Sequence, residues 1–203
     1  MSRNAVRPAA HQLDARIRRT RDRLGEALVK LIQEQPFDTI TVQSVLGRAR
    51  VGRSTFYVHF RDKDDLFLSE VDEFFEGMAT LLARRGDTST RVAPVRELFA
   101  HVAEVQEFYR ALVRSGKIHD VLELGQAHFA RGIEVRLADR PGTRGDAASE
   151  RKATANLLAG ALLSLLSWWV AHDRPATPER MDELFHRLVE SGVGAGAADS
   201  AAR

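Results

Sequence analysis

The sequence predicts an all-α protein, on three observations. Apolar residues recur at helical spacing in nearly every periodic stretch. No stretch alternates apolar and polar residues as a half-buried strand would. The breaks between periodic stretches hold proline, glycine and small capping residues. There is no internal repeat. At 203 residues, with 44% apolar and 29% charged side chains, the composition is that of a folded globular chain with a sizeable core.

The elements follow in order. Leu24, Ala27, Leu28, Leu31 and Ile32 make one apolar stripe, and Pro36 closes that helix. Thr41 is a natural N-cap for a short second helix, whose stripe is Val42, Val45, Leu46 and Ala49. "RVG" breaks it, and a third helix of about two turns runs from Arg53 to His59. Asp62 caps a long fourth helix, with Asp64 and Asp65 in the first turn, where the helix dipole favours negative charge. Its apolar side is Phe67, Val71, Phe74, Phe75, Met78, Leu81 and Leu82, and "RRGDTST" ends it.

Further helices are expected on Val95–Val102, around Phe108–Val113 up to Gly116, and on Ile118–Ile133. The stretch from Asp139 to Asp146, "DRPGTRGD", reads as a loop. A helix over about 147–171 is apolar nearly all round in its second half. The last starts near Pro178, with Met181, Leu184, Phe185, Leu188 and Val189 on one face, and residues 193–203 read as a disordered tail.

Several classes of function are excluded or disfavoured. Without cysteine there is no disulfide, thiolate metal site or cysteine nucleophile. The N-terminus lacks the apolar run of a secretory signal, and the longest apolar run, Leu157 to Val170, is 14 residues, short of a membrane span. A soluble, cytoplasmic protein without a membrane partner is expected. Ser54, His59 and Asp62 are close in sequence, but Ser54 and His59 point to different sides of a helix and make no triad. No glycine-rich phosphate loop or dinucleotide fingerprint is present. His119 and Glu123 stand one helical turn apart, but two such groups on a helix surface are usually just solvated. No enzyme activity, cofactor or metal is expected.

Charge points to a polyanion instead. Residues 1–61 hold 12 Arg and Lys against 5 Asp and Glu, a balance of +7, while the remainder carries −5. The basic third contains "RARVGRSTFYVHFRDKDDL", where aromatic residues sit among arginines. Two short helices joined by a tight turn, with basic residues on the second, suit a helix-turn-helix. A two-turn helix that enters a DNA major groove cannot stabilise itself. Phe56 and Phe60, four apart, would anchor it from below, leaving Arg53, Ser54, Thr55, Tyr57 and His59 outward for phosphates and base edges.

From about Thr20 to Phe75 the chain resembles the tetracycline-repressor (TetR) family. The resemblance rests on "TRDRLGEALVKLIQEQPFDTITV", "TVQSVLGRARVG" and "RSTFYVHFRDKDDLF", including the spacing of Thr55, Tyr57, His59, Phe60 and Lys63. It implies an N-terminal three-helix DNA-binding domain and a C-terminal helical domain for ligand binding and dimerisation. It also implies DNA contacts from Arg53, Thr55, Tyr57, His59 and Lys63, with Thr41, Gln43 and Ser44 adding contacts from the second helix. The chain departs from the family at Arg50, where the turn usually has glycine, at Ser54, which replaces a usual glycine, and at Val58, where a polar or aromatic residue is usual.

On this reading residues 1–19 are a basic arm, 20–66 the helix-turn-helix domain, 67–192 the effector-binding and dimerisation domain, and 193–203 the tail. Phe99, Phe108, Tyr109, His128, Phe129 and Trp168 are candidates for a pocket holding a small, mostly apolar effector. Leu158, Ala161, Leu162, Leu165, Leu184, Phe185 and Leu188 are candidates for a homodimer interface, two helices from each subunit forming a four-helix bundle. The expected function is a homodimeric repressor on palindromic double-stranded DNA, released by that effector. The alternative is a DNA-binding dimer without an effector, whose C-terminal domain only dimerises or holds a protein partner.

Overall fold

The computed structural model describes residues 7–114, 116–139 and 148–200. Among them the chain is helical, without a strand: α1 (Arg7–Glu34), a 3₁₀ turn (Phe37–Thr39), α2 (Val42–Ala49), α3 (Arg53–His59), α4 (Lys63–Ala79), α5 (Leu81–Arg84), α6 (Val95–Glu104), α7 (Gln106–Arg114), α8 (Ile118–Ala138), α9 (Ala148–Ala171) and α10 (Pro178–Ser200). The chain divides into two units, Met1–Glu70 with Glu107–Lys117, and Val71–Gln106 with Ile118–Arg203. The division falls inside α4, a few residues beyond the expected boundary at 66, and gives most of α7 to the first unit.

In the first unit α1 supplies Leu24, Ala27, Leu28, Leu31 and Ile32, and α2 supplies Val45, Leu46 and Ala49, all buried together with Phe37, Ile40, Phe56, Phe60, Leu66 and Phe67. The helix α1 starts at Arg7, well before the expected first turn near Thr20. Pro8 sits where a first turn tolerates proline, and the residues that follow are mostly good helix formers. The apolar stripe begins only at Leu24, so periodicity was blind to the polar turns before it. The segment expected as a basic arm is therefore helical from Arg7, and residues 1–6 lie outside the described residues.

In the second unit α8 packs along α9, and α6 along α10. The C-terminal half of α4 meets α8 closely. A Cβ on Gly125 would come within 2.8 Å of the Phe75 ring, and one on Gly132 within 2.7 Å of the Ala79 carbonyl oxygen, so both positions need the missing side chain. The expected single long helix is broken at Thr80, whose hydroxyl donates to the Glu76 carbonyl at 2.8 Å, a back-bond that competes with continued helix. Of the expected loop 139–146, only Asp139 is among the described residues. The helix α10 extends to Ser200, through most of the stretch expected as a tail.

The helix α9 is long and apolar enough, by length and composition, to cross a membrane. The 14-residue run understated this, because small and polar residues before Leu157 extend the apolar window. Within its unit it is a core helix, burying Ala155, Leu158, Ala159, Leu162, Leu163, Leu166, Trp169 and Val170. Its other face leaves Leu157, Ala161, Ser164 and Trp168 exposed.

Candidate nucleic-acid interface

The second helix starts on a capping box. The Thr41 hydroxyl accepts the Ser44 amide at 3.1 Å, and the Ser44 hydroxyl accepts the Thr41 amide at 3.1 Å. Ser44 also donates to the Thr41 carbonyl at 2.7 Å. Both side chains, expected as DNA contacts, are thus first of all the start of α2. Gln43 between them is exposed.

The turn after α2 is left-handed. Arg50 caps the helix at φ 53°, ψ 47°, a conformation that costs a non-glycine residue about 1 kcal/mol. Arg23 of α1 reaches over to hold it, its Nη2 donating to the Ala49 carbonyl and, at 3.1 Å, to the Arg50 carbonyl. A guanidinium on two orphan carbonyls at a helix C-terminus satisfies acceptors that a Gly-type cap leaves to the backbone.

From that turn α3 emerges with one side fixed. Phe56 is fully buried and Phe60 nearly so, their ring centroids 5.8 Å apart. Arg21 lies 4.9 Å above the Phe60 ring and donates to Ser69 Oγ at 2.6 Å, tying α1 and α4 to the end of α3. Arg53, Ser54, Thr55 and Tyr57 are exposed, as the sequence implies, and His59 is half-buried at the C-terminal end. Tyr57 packs its ring edge-on against Phe56 at 5.3 Å while remaining 52% exposed, so its hydroxyl faces outward from a fixed ring. Val58, absent from the expected contacts, is the most exposed large apolar residue of the chain's described part, at 78%.

Lys63, expected as a phosphate contact, is half-buried at the start of α4. Its Nζ donates to the carbonyls of Phe37 at 2.7 Å, Ile40 at 2.8 Å and Asp38 at 3.3 Å, and sits 4.6 Å from the Phe37 ring centroid. An ammonium has three protons, and all three are used inside the domain. The geometry makes Lys63 a clasp of the 3₁₀ turn.

Beside α3 lies a concavity of about 740 Å³, lined by Arg16, Arg19, Thr20 and Arg23 of α1 and by Arg50, Val51, Gly52 and Thr55. None of these eight residues is acidic. The arginines read from sequence as a loose arm are thus set by a continuous helix against the turn of the helix-turn-helix. Two other cations of the unit are matched by acids: Arg48 makes paired bonds of 2.5 and 2.6 Å to Glu34, holding its carboxyl below the usual range, and Arg61 does the same to Asp65.

The residues expected to line a pocket are divided between the two units. Phe99 packs on Trp169 at 4.9 Å and Phe129 on Phe75 at 5.7 Å, both Phe99 and Phe129 within the core. Trp168 is 46% exposed and stacks on His172. His128 is buried but occupied, its Nε2 2.7 Å from Asp72 Oδ1 and its Nδ1 2.8 Å from Arg131 Nη2. Phe108 and Tyr109 belong to the first unit. Of the expected interface residues, Leu158, Leu162 and Phe185 are core; Leu165 and Leu184 are half-buried; Ala161 and Leu188 are exposed. A helix apolar on every side hid which face turns inward.

A capped helix, a left-handed turn held by Arg23 and a short helix with its polar side outward have the form of a helix-turn-helix. Known proteins give the same class. Residues 25–69 match the family described as bacterial regulatory proteins, tetR family. The chain is 33% identical over 174 residues to the uncharacterised HTH-type transcriptional regulator YxbF of Bacillus subtilis (strain 168), a match covering 81% of this chain and 43% of YxbF. It thus spans under half the length of that relative. A TetR transcriptional regulator from Streptococcus agalactiae 2603V superposes with a TM-score of 0.60 at 25% identity, covering 89% of this chain and 98% of that one. The fatty acid degradation regulator FadR from Bacillus halodurans shares the fold, with a TM-score of 0.58 at 17% identity over 82% of this chain and 96% of its own. Residues 25–69 thus carry the segment shared with the tetR family of bacterial regulatory proteins.

Proposed function

We propose that the chain is a cytoplasmic, homodimeric transcriptional regulator that binds palindromic double-stranded DNA and represses by covering it. The observation that carries this reading is the outward side of α3 standing beside a concavity lined by four arginines and no acid. In this reading α3 enters the major groove. Arg53 and Ser54 at its N-terminal end reach base edges, as do the hydroxyl of Thr55 and the ring of His59 at their respective ends. Tyr57 places its hydroxyl on a phosphate, and Thr41 and Gln43 meet the backbone from α2. Arg16, Arg19 and Arg50 neutralise phosphates along one flank. Lys63 keeps its structural place.

The exposed apolar side chains of the second unit support dimerisation. Leu157 is 70% exposed, Trp168 46% and Leu188 64%. Leu157, Ala161 and Trp168 follow one face of α9, and such a face is self-complementary across a two-fold axis. Release by a small, mostly apolar ligand rests on the resemblance alone. The core positions of Phe99 and Phe129 favour the reading in which the second unit serves dimerisation.

Selection of bound duplexes from a random pool tests the proposal. A palindrome with half-sites about one helical turn, 34–36 Å, apart is the expected result. A single unrepeated site would remove the dimer, and no enrichment at all would remove duplex binding. Tyr57→Ala should weaken binding to selected and unselected duplexes alike, whereas a changed base preference would contradict its phosphate role.

A further inference from the structure

The reading of α3 as the groove helix leaves one of its residues without a task. Val58 has no hydrogen bond to give, lies outside the core at 78% exposure, and is β-branched on a helix that gains little from such a residue. A single exposed valine is ordinary on a protein surface. The position of this one is not. At 100° per residue, Val58 points about 160° away from both Phe56 and Phe60, the two rings that fix the inner side. It lies on the outer side of α3, with Ser54 one turn before it on the same crest. Whatever surface α3 presents outward, Val58 is part of it.

The floor of the major groove offers hydrogen-bonding atoms at every base pair and a single kind of apolar group, the 5-methyl of thymine. A valine at the crest, on a helix with no acid and with an arginine-lined concavity at its N-terminal end, meets that floor rather than an apolar protein patch. We infer that Val58 is a specificity-determining residue that selects an A·T pair in each half-site by packing its methyl groups against the thymine 5-methyl. Ser54, a turn earlier, reads the adjoining position through its hydroxyl. Val58 therefore supplies preference for thymine without a hydrogen bond, and the discrimination comes from a desolvated methyl contact.

The test uses the full chain and a duplex taken from the selection described above, resynthesised with deoxyuridine at each thymine in turn. Uracil keeps the pairing edge and lacks only the methyl. Wild type should lose about fourfold in affinity at one thymine per half-site, the scale of one buried methyl group, and little elsewhere. Val58→Ala should bind the thymine and uracil duplexes equally at that position, while Val58→Ile keeps the difference. Unchanged melting of Val58→Ala, expected for so exposed a side chain, shows that the fold is intact. Equal wild-type affinity for every uracil duplex would overturn the inference. So would a Val58→Ala variant with the wild-type pattern of losses, which would assign the methyl contact to another residue. Failure of any duplex to enrich would overturn the placement of α3 in DNA, and the role of Val58 with it.

Discussion

Arg50 holds a conformation that favours glycine, and its neighbours explain why it persists. Arg23 satisfies the carbonyls of Ala49 and Arg50, and Arg50 itself lines the arginine concavity. The two roles separate in one variant. Arg50→Gly should raise stability by about 1 kcal/mol in denaturant melting, because the left-handed cost disappears, while weakening DNA binding. A variant less stable than wild type would show that the arginine side chain, not the backbone, stabilises the turn. Lys63 gives the complementary case. Lys63→Met should lower the melting temperature, since three carbonyls lose their donor, yet leave the salt dependence of DNA binding unchanged. A shallower salt slope would restore it as a phosphate contact. At this scale the sequence was legible where a side chain has one common job: Thr41 as a cap, Asp62 accepting the Asp65 amide on its carboxylate at 2.8 Å, Phe56 and Phe60 as anchors. It was silent where a long side chain has two destinations. The stem of Lys63 reaches inward to carbonyls as easily as outward to phosphate. Val58 was passed over because it looked like a departure from a pattern, although its angle to the two phenylalanines was already readable.

Helices were legible when one face is apolar and the other is not. The stripe of α1 and the seven residues of α3 are such cases. The start of α1 was not, because polar turns carry no periodic signal, and neither was the inward face of α9, because both faces are apolar. The exposures now divide that helix. Leu162→Asp should prevent folding of the second unit, its side chain being fully buried. Leu157→Asp should leave melting of the monomer unchanged and shift the mass in solution of the proposed dimer to that of a monomer; a mass equal to that of wild type would remove this face as the interface. Between α6 and α10, Asp182 accepts from Arg91 at 2.8 Å and from the Arg96 amide at 3.1 Å, with His186 beside it. Burial pushes its pKa up, but His186 and Arg91 outweigh this and bring it down from 3.8 to about 2. A depressed carboxylate contributes stability above its unfolded value and loses it as pH falls towards the folded value. After allowance for solvent screening this is about 1 kcal/mol, lost between about pH 4 and pH 2. Asp182→Asn should therefore melt a few degrees lower than wild type at pH 7, with the gap closing by pH 2. A gap independent of pH would mean that shape, not charge, is what Asp182 supplies.

Over the whole chain the uneven charge is the feature that composition revealed first, +7 on residues 1–61 against −5 on the rest. Composition could not say where those cations point. The fold sets Arg16, Arg19, Arg23 and Arg50 on one concavity and pairs Arg48 and Arg61 with acids, so only part of the excess is aimed outward at a ligand. The most direct test of the account is a salt titration of duplex binding by wild type and by the double variant Arg16→Ala, Arg19→Ala. Each phosphate contacted contributes about −0.9 to the slope of log K against log salt concentration. The account predicts a steep wild-type slope that flattens by about two units in the variant, if each arginine meets one phosphate. A flat wild-type response, or the same slope in both proteins, would contradict it.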